Sequence, residues 1–239
     1  MARWIIAIDG PAAAGKGTLA RRLATYLGLP YLDTGLLYRA AGRRVLDRGQ
    51  SPSDAAAAER AARDLRPEDL ERTDLRGPEA DAAAAAVASV PGVRSALLAF
   101  QRDFGAAQGA VLDGRDIGTV VFPNADLKLF VTASTEARAH RRWLELRDRG
   151  VAVDKTEVER DIRARDAQDA ARAIAPLRAA DDAVTIDTTA LDRDAAFAAV
   201  LSVAGERLQP STRHGPARPG HLARHHVGSD DPDEPGHDG

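Results

Sequence analysis

Four patches of this chain hold residues whose types and spacing suit phosphate chemistry. The first reads Gly10-Pro11-Ala12-Ala13-Ala14-Gly15-Lys16-Gly17-Thr18, directly after the apolar run Trp4 to Ile8. A buried strand, a glycine-rich loop and a helix start in that order bring backbone N–H groups and a helix N-terminus to one point. Lys16 adds a full positive charge there. The ligand such a site takes is the β- and γ-phosphates of a nucleotide. Gly17 stands where the commoner pattern has Ser or Thr, so the Thr18 hydroxyl is shifted and direct Mg²⁺ ligation is not assigned to it. In the second patch, Ala110-Val111-Leu112 runs into Asp113-Gly114-Arg115-Asp116. An Asp ending a buried strand beside a phosphate loop can hold Mg²⁺, directly or through water, and Arg115 and Asp116 then lie at the same cleft. The third is Leu32-Asp33-Thr34-Gly35-Leu36-Leu37-Tyr38-Arg39, where Arg39 can face a second phosphate across the cleft. Taken alone, Asp-Gly is also a common turn and Arg39 a common solvated helix residue. In the fourth, Thr156 to Glu159 reads as a capping box. Val158, Ile162, Arg165, Asp169 and Arg172 then recur on one helical face that begins apolar and turns charged. That face suits a helix leaving the core for a polar cleft, or equally a solvated salt-bridge ladder.

The elements that must position these residues follow from periodicity. Strands are expected at residues 4–8, 29–32, 110–112, 127–131 and 183–186. Helices are expected from Thr18 to Tyr26 with Gly28 as the stop, from Leu36 to Arg48, from about Val93, over 135–149, and from Asp192 to Leu208. Residues 50–92 are rich in Ala, Asp and Arg, are punctuated by Pro52, Pro67, Pro78 and Pro91, and read as short helices. Strands alternating with helices imply a parallel sheet covered on both faces, with ligands at the carboxyl ends of the strands. Gly150 is placed to hinge a lid.

Composition narrows the class. A length of 239 residues with 44% apolar residues suits one domain, and a formal net charge of -3 argues against a general nucleic-acid binder. The absence of cysteine rules out disulfides and thiolate metal sites and fits a reducing cytoplasm. No signal peptide and no 18-residue apolar run is visible, so neither export nor a membrane span is expected. Only three Lys stand beside thirty Arg, so phosphates would be met mainly by planar guanidinium groups. Residues 209–239 carry five Pro, five of the six His and an acidic run, and are expected to be a disordered tail. Its His221, His225 and His226 read as solvated rather than as metal ligands.

The patches taken together resemble a known family. Ile8 to Thr18, Leu32 to Gly35 with Tyr38-Arg39, Pro91-Gly92-Val93-Arg94, Asp113 to Pro123, and Arg165-Asp166 with Asp169, Arg172 and Ala175-Pro176-Leu177 occur in this order. They are similar to the bacterial cytidylate kinases, P-loop nucleoside monophosphate kinases, over roughly residues 3–207. The resemblance implies a three-layer α/β P-loop fold with a five-stranded parallel sheet in the order 2-3-1-4-5. It implies a kinase domain over 1–208 (core 1–40, 93–145 and 173–208), a short helical NMP-binding region at 41–92, and a lid at 146–172. It implies ATP-dependent, Mg²⁺-assisted phosphorylation of CMP and dCMP by a cytoplasmic monomer with no nucleic-acid or membrane partner. By position, Gly10, Pro11, Ala12, Ala13, Ala14, Gly15, Lys16, Gly17 and Thr18 would bind ATP. Thr34, Arg39, Arg94, Arg115, Asp116, Arg165, Asp169 and Arg172 would bind CMP. Lys16, Arg165 and Arg172 would be catalytic, and Asp113 would hold Mg²⁺ through water. Within the CMP set, Arg39 and Arg115 would hold the phosphate, Arg94 and Asp116 would read the cytosine edge, and Arg165, Asp169 and Arg172 would contact sugar and transferring phosphates.

The chain departs from the family pattern in three places. Ala85 stands at the family's cytosine-contacting Ser, residues 50–84 are too short and Ala-rich for the small sheet of longer members, and Gln168 replaces a lid Arg found in some members. The acceptor would be a phosphate oxygen already ionised at neutral pH, so no general base is required and His140 reads as a plain helix residue. Three other readings stay open on the residues. One is the same fold acting on UMP, AMP or shikimate, and another is a non-catalytic nucleotide binder. The third is a GTP switch, against which stands the lack of an Asn-Lys-x-Asp motif, since the only Asn is Asn124.

Overall fold

The computed structural model describes residues 3–172 and 174–208. The tail expected to be disordered, 209–239, lies outside the described residues. Five strands form one sheet: β1 (Ile5–Asp9), β2 (Tyr31–Asp33), β3 (Ala110–Gly114), β4 (Leu127–Thr132) and β5 (Val184–Asp187). Their spatial order is β2-β3-β1-β4-β5, every pairing is parallel, and β1 is central, with Ile6 opposite both Val111 and Leu127. The order is the one the family resemblance implies.

The strands are nearly continuous in apolar residues because both faces are covered. Ile6, Ile8, Val111, Leu129 and Ile186 bury against α1 (Lys16–Leu27) and α8 (Arg193–Arg207). Ala7, Ala110 and Leu112 point the other way, into a cluster with Leu37, Val45, Val93 and Leu97. Those last four come from α2 (Thr34–Asp47) and α5 (Pro91–Gln108). The insert between α2 and α5 is helical among the described residues, with α3 (Ala55–Arg63), a 3₁₀ turn at Pro67–Leu70 and α4 (Pro78–Ala88). Its many alanines let helices approach closely: Ala57, Ala58, Ala61, Ala83 and Ala84 are all buried. Two helices between β4 and β5, α6 (Thr135–Asp148) and α7 (Lys155–Ala170), share a small core of Ala139, Leu146, Val158 and Ile162.

Local chemistry shifts several expected boundaries. α7 does not start from a Thr156 box; Asp154 caps it, its carboxylate accepting from Thr156 N at 2.7 Å. α7 also stops at Ala170, so Arg172 lies past its end rather than on its face. α2 begins at Thr34 itself, because Asp33 accepts from Leu36 N. β3 continues through Asp113 and Gly114, and a π-helical turn at Ile117–Val121 follows that periodicity did not foresee. Gly10 is obligatory: at φ +150° an added Cβ would lie 2.0 Å from the Val131 carbonyl oxygen.

Gly42 gives a fold test with a reversed sign. Glycine to alanine inside a helix ordinarily gains about 1 kcal/mol. A Cβ at Gly42 would lie 2.8 Å from Ala83 Cβ, where α2 meets α4. Gly42→Ala should therefore lower the thermal unfolding midpoint by a few degrees rather than raise it, as calorimetry can check.

Candidate active site

The glycine-rich loop joins β1 to α1 at the carboxyl edge of the sheet. Gly15 caps α1 in the left-handed region at φ 91°, with no side-chain hydrogen bond and no acidic residue in the first turn. By contrast α2, α3, α6, α7 and α8 are capped by Asp33, Asp54, Ser134, Asp154 and Asp192. The α1 N-terminus thus offers its N–H groups and positive dipole end to an anion. The loop carbonyls are engaged: Lys16 Nζ donates to Pro11 O at 3.4 Å, Arg138 to Ala12 O at 3.4 Å and Thr188 Oγ1 to Ala14 O at 3.1 Å.

Asp113 lies against this loop. A methyl group on Gly17 would sit 3.5 Å from Asp113 Oδ2, while Oδ1 accepts from the Tyr31 hydroxyl at 2.9 Å. Burial, then the nearby Asp33, push the Asp113 carboxyl up to about 6. Tyr31 is pushed up in turn, first by burial and then by Asp113. Thr34 is buried and its hydroxyl donates to Asp113 O at 2.8 Å, which ties the start of α2 to the end of β3.

The arginines converge on the same edge. Arg39 is held by Asp33 at 3.1 Å, yet its buried Nε has no partner. Arg115 Nε donates to Asp169 Oδ2 at 2.8 Å, and Arg172 meets Asp169 Oδ1 at 2.5 Å, so one buried carboxylate joins two guanidiniums. Burial opposes the Asp169 charge, but Arg115 and Arg172 outweigh it and hold the carboxyl below its usual range. Arg94, in the first turn of α5, donates to Asp116 and lies over the Tyr38 ring. Burial pushes Asp116 up while Arg94 and Arg172 pull it down, leaving a net rise. Lys16 is pushed below the usual lysine range by burial and by Arg115, with Asp113 and Asp33 opposing and Arg165 adding to the depression. Arg165 is lowered by burial and by Arg115, with Arg39 contributing. Lys16, Arg39, Arg115, Arg165 and Arg172 thus share one electrostatic neighbourhood, interleaved with carboxylates.

Several residues that hold this site left no signal in the spacing. Asp9, at the end of β1, accepts from Ile117 N and Gly118 N at 2.8 Å each, and so fixes the π-helical turn behind Arg115 and Asp116. Arg138 is a buried guanidinium bonded to Ala133 O, Ala12 O and both oxygens of Asp166. Asp81 on α4 contacts Arg39, Arg142 and Arg165. The pairs are up to 126 residues apart in sequence, so no local pattern could show them. His140 is an exposed α6 residue stacked on Trp143, as expected of a plain helix position.

The sequence of the chain matches the profile of the family described as cytidylate kinase over residues 6–205. The chain belongs to the cytidylate kinase family. It is 65% identical over 195 residues to a cytidylate kinase of Granulibacter bethesdensis, covering 82% of this chain and 93% of that one. A cytidylate kinase of Paramagnetospirillum magneticum is 60% identical over 207 residues, covering 85% and 98%. One from Methylocella silvestris is 57% identical over 220 residues, covering 92% and 99%. A solved structure of an uncharacterized protein from Eubacterium ventriosum shares the fold at TM-score 0.50 with 14% identity, covering 85% of this chain and 99% of that one. Among the described residues no single helix is long and apolar enough to cross a membrane.

The buried anchor Asp9 gives this cytidylate kinase a pH signature. Burial pushes its carboxyl up to about 6, against the two backbone N–H bonds that oppose the rise. A carboxyl whose folded pKa exceeds its unfolded value stabilises the fold increasingly as pH falls through the folded pKa. In urea unfolding from about pH 7.5 to about 4.5, wild type should gain about 2 kcal/mol relative to Asp9→Asn. A difference that does not change with pH would mean that Asp9 is not desolvated as described.

Proposed function

We propose that this chain transfers the γ-phosphoryl group of ATP to CMP or dCMP, giving CDP or dCDP, as a cytoplasmic monomer serving pyrimidine nucleotide metabolism. The observation that carries the reading is the gathering of Lys16, Arg39, Arg115, Arg165 and Arg172 around one cleft beneath an uncapped helix N-terminus. Two anionic nucleotides can meet end to end only where fixed cations offset their repulsion.

In this reading Gly10 to Thr18 cradle the ATP phosphates and Lys16 meets the β- and γ-phosphates. Arg39 and Arg115 receive the acceptor phosphate, and the unpartnered Arg39 Nε is a donor that an acceptor oxygen would satisfy. Arg165 and Arg172 neutralise the transferring group, with Asp169 aiming Arg115 and Arg172 and contacting the sugar. Thr34 acts through its bond to the Asp113 carbonyl. The acceptor phosphate has a second pKa of about 6 and is ionised at neutral pH, so the in-line attack needs position and charge rather than a base. The region 41–92 serves as the NMP-binding part, 146–172 as the lid, and the rest of 1–208 as the core.

Base choice is assigned to the Arg94–Asp116 pair at the start of α5. Cytosine presents an amino donor at N4 and acceptors at N3 and O2. Asp116 can accept from the first and Arg94 can donate to the others. Uracil exchanges donor for acceptor at two of these points and would leave buried groups unpaired, which a polar site rejects strongly. Ala85 offers no hydroxyl, so the pair carries the discrimination.

Mg²⁺ fits Asp113. Burial and Asp33 disfavour its charge, a penalty that a dication would remove. Among the described residues no cluster of three or more His or acidic side chains could cage a metal by itself. The ion would be held by Asp113, directly or through water, and by the substrate phosphates. When bound it would supply charge neutralisation to the transferring phosphate.

Coupled turnover with CMP, dCMP, UMP and AMP tests the reading, and CMP and dCMP should exceed the others by at least about 10²-fold in kcat/KM. Lys16→Ala should reduce kcat by about 10²- to 10³-fold without loss of fold by circular dichroism. Chelation of Mg²⁺ should abolish turnover. Undiminished turnover in Lys16→Ala would refute the assigned phosphate site.

A further inference from the structure

Asp81 is a carboxylate of this region with no part in the reading above. It lies in the first turn of α4, a helix that packs against α2, α3 and α5. Its side chain reaches across the cleft instead. Oδ1 stands 3.5 Å from Arg165 and 3.8 Å from Arg39, and Oδ2 accepts from Arg142 at 3.1 Å. These guanidiniums belong to α7, α2 and α6, so one carboxylate ties the helical insert to the α6–α7 arm.

The fit is incomplete on the side of the two proposed phosphate contacts. Asp81 touches Arg39 beyond hydrogen-bond distance, and Arg39 Nε stays buried without a partner. It relieves Arg165 against burial and the charges of Arg115 and Arg39, without restoring the ordinary arginine range. A dianionic phosphate with three oxygens would satisfy Arg39 and Arg165 better than a single carboxylate can.

We infer that Asp81 is a resident competitor for the acceptor phosphate: it holds Arg39 and Arg165 together in the empty cleft and clamps α4 to the α6–α7 arm until the acceptor phosphate displaces it. The inference rests on the reading that Arg39 and Arg165 meet phosphate oxygens. A phosphate dianion and the Asp81 carboxylate repel each other, so both cannot occupy the space between those two guanidiniums. Entry of the acceptor takes Arg39 and Arg165 from Asp81, leaves Arg142 as its one remaining tie to the arm, and so loosens the arm toward closure on the nucleotides. Binding at one side of the cleft is thereby coupled to mobility at the other.

The test is Asp81→Asn, which keeps size and removes charge. With CMP varied at saturating ATP, KM for CMP should fall about fivefold or more, while KM for ATP changes less than about twofold. In the nucleotide-free enzyme, amide hydrogen exchange across Lys155–Ala170 should speed up several-fold. Arg142→Gln breaks the clamp without altering α4 and should speed the same exchange to a similar extent. An unchanged or raised KM for CMP in Asp81→Asn overturns the competition, and unaltered exchange in both variants overturns the clamp. Arg39→Gln separates this inference from the reading beneath it. If it leaves KM for CMP unchanged, the acceptor-phosphate assignment fails and the competition fails with it, while the exchange results still decide the clamp.

Discussion

Repulsion among crowded cations is the constraint around which this structure is arranged. Two unit charges 4 Å apart interact by about 4 kcal/mol at an effective dielectric of 20. A domain is stable by only about 5–15 kcal/mol. An ammonium and several guanidiniums left uncompensated in one half-buried cleft would consume that margin. The fold answers by setting carboxylates between them: Asp33 on Arg39, Asp169 between Arg115 and Arg172, Asp116 on Arg94 and Asp81 among Arg39, Arg142 and Arg165. Lys16 and Arg165 are still held below their ordinary ranges, by burial first and by neighbouring guanidiniums after it, and Arg39 keeps an unpartnered donor. An arriving anion would relieve that repulsion as well as form contacts.

The parallel sheet makes such an arrangement possible. Its strands end on one edge, so β1 delivers the phosphate loop, β2 delivers Asp33 and β3 delivers Asp113 without long connections. Backbone groups then lock the loops. Asp9 fastens the π-helical turn, and Thr34 fastens α2 to β3. Gly10 lets the loop pass the Val131 carbonyl at a distance no side chain permits. These contacts are buried and made to backbone amides or carbonyls, so they hold geometry without occupying the guanidiniums of the cleft.

How much of this was legible in the sequence follows the distance over which each feature is determined. The phosphate loop is local: an apolar run, glycines and one lysine within fifteen residues specify strand, turn and helix. Asp113 and Arg115 could be read because they close an apolar strand. The apolar part of the α7 face was legible too, since Val158 and Ile162 pack on α6 as their spacing implies. Its charged part was ambiguous, because spacing cannot tell a solvated ladder from Asp169 buried between two arginines. The Asp154 cap was missed because Thr156 two residues on offers a competing box, and the shorter reach of the Asp carboxylate to Thr156 N decides it. Asp9, Arg138 and Asp81 were unreadable because their partners lie in other elements. An Ala-rich helix such as α4 gives no sign, by periodicity, of which single acid it turns toward a cleft.

The cleft is built from parts of unequal stiffness, and the inequality has a physical source. Lys16, Asp113, Arg115 and Asp116 stand on or beside strands whose residues are buried on both faces by two large apolar clusters. Arg165 and Asp169 stand on a helix whose apolar support is four buried side chains shared with α6. Opening free energy tracks buried apolar contact, so the α6–α7 pair is the part that opens at least cost. In the proposed reading, the groups that hold the donor phosphates are therefore on the stiff side, and the cations that come and go with substrate are on the soft side. Ion pairs such as Arg115 with Asp169 bridge the two. A charge pair can break and re-form as phosphates arrive and leave, whereas an interdigitated apolar seam would have to be dismantled each time. Arginine and aspartate at this boundary let one set of guanidiniums serve both the empty cleft and the filled one.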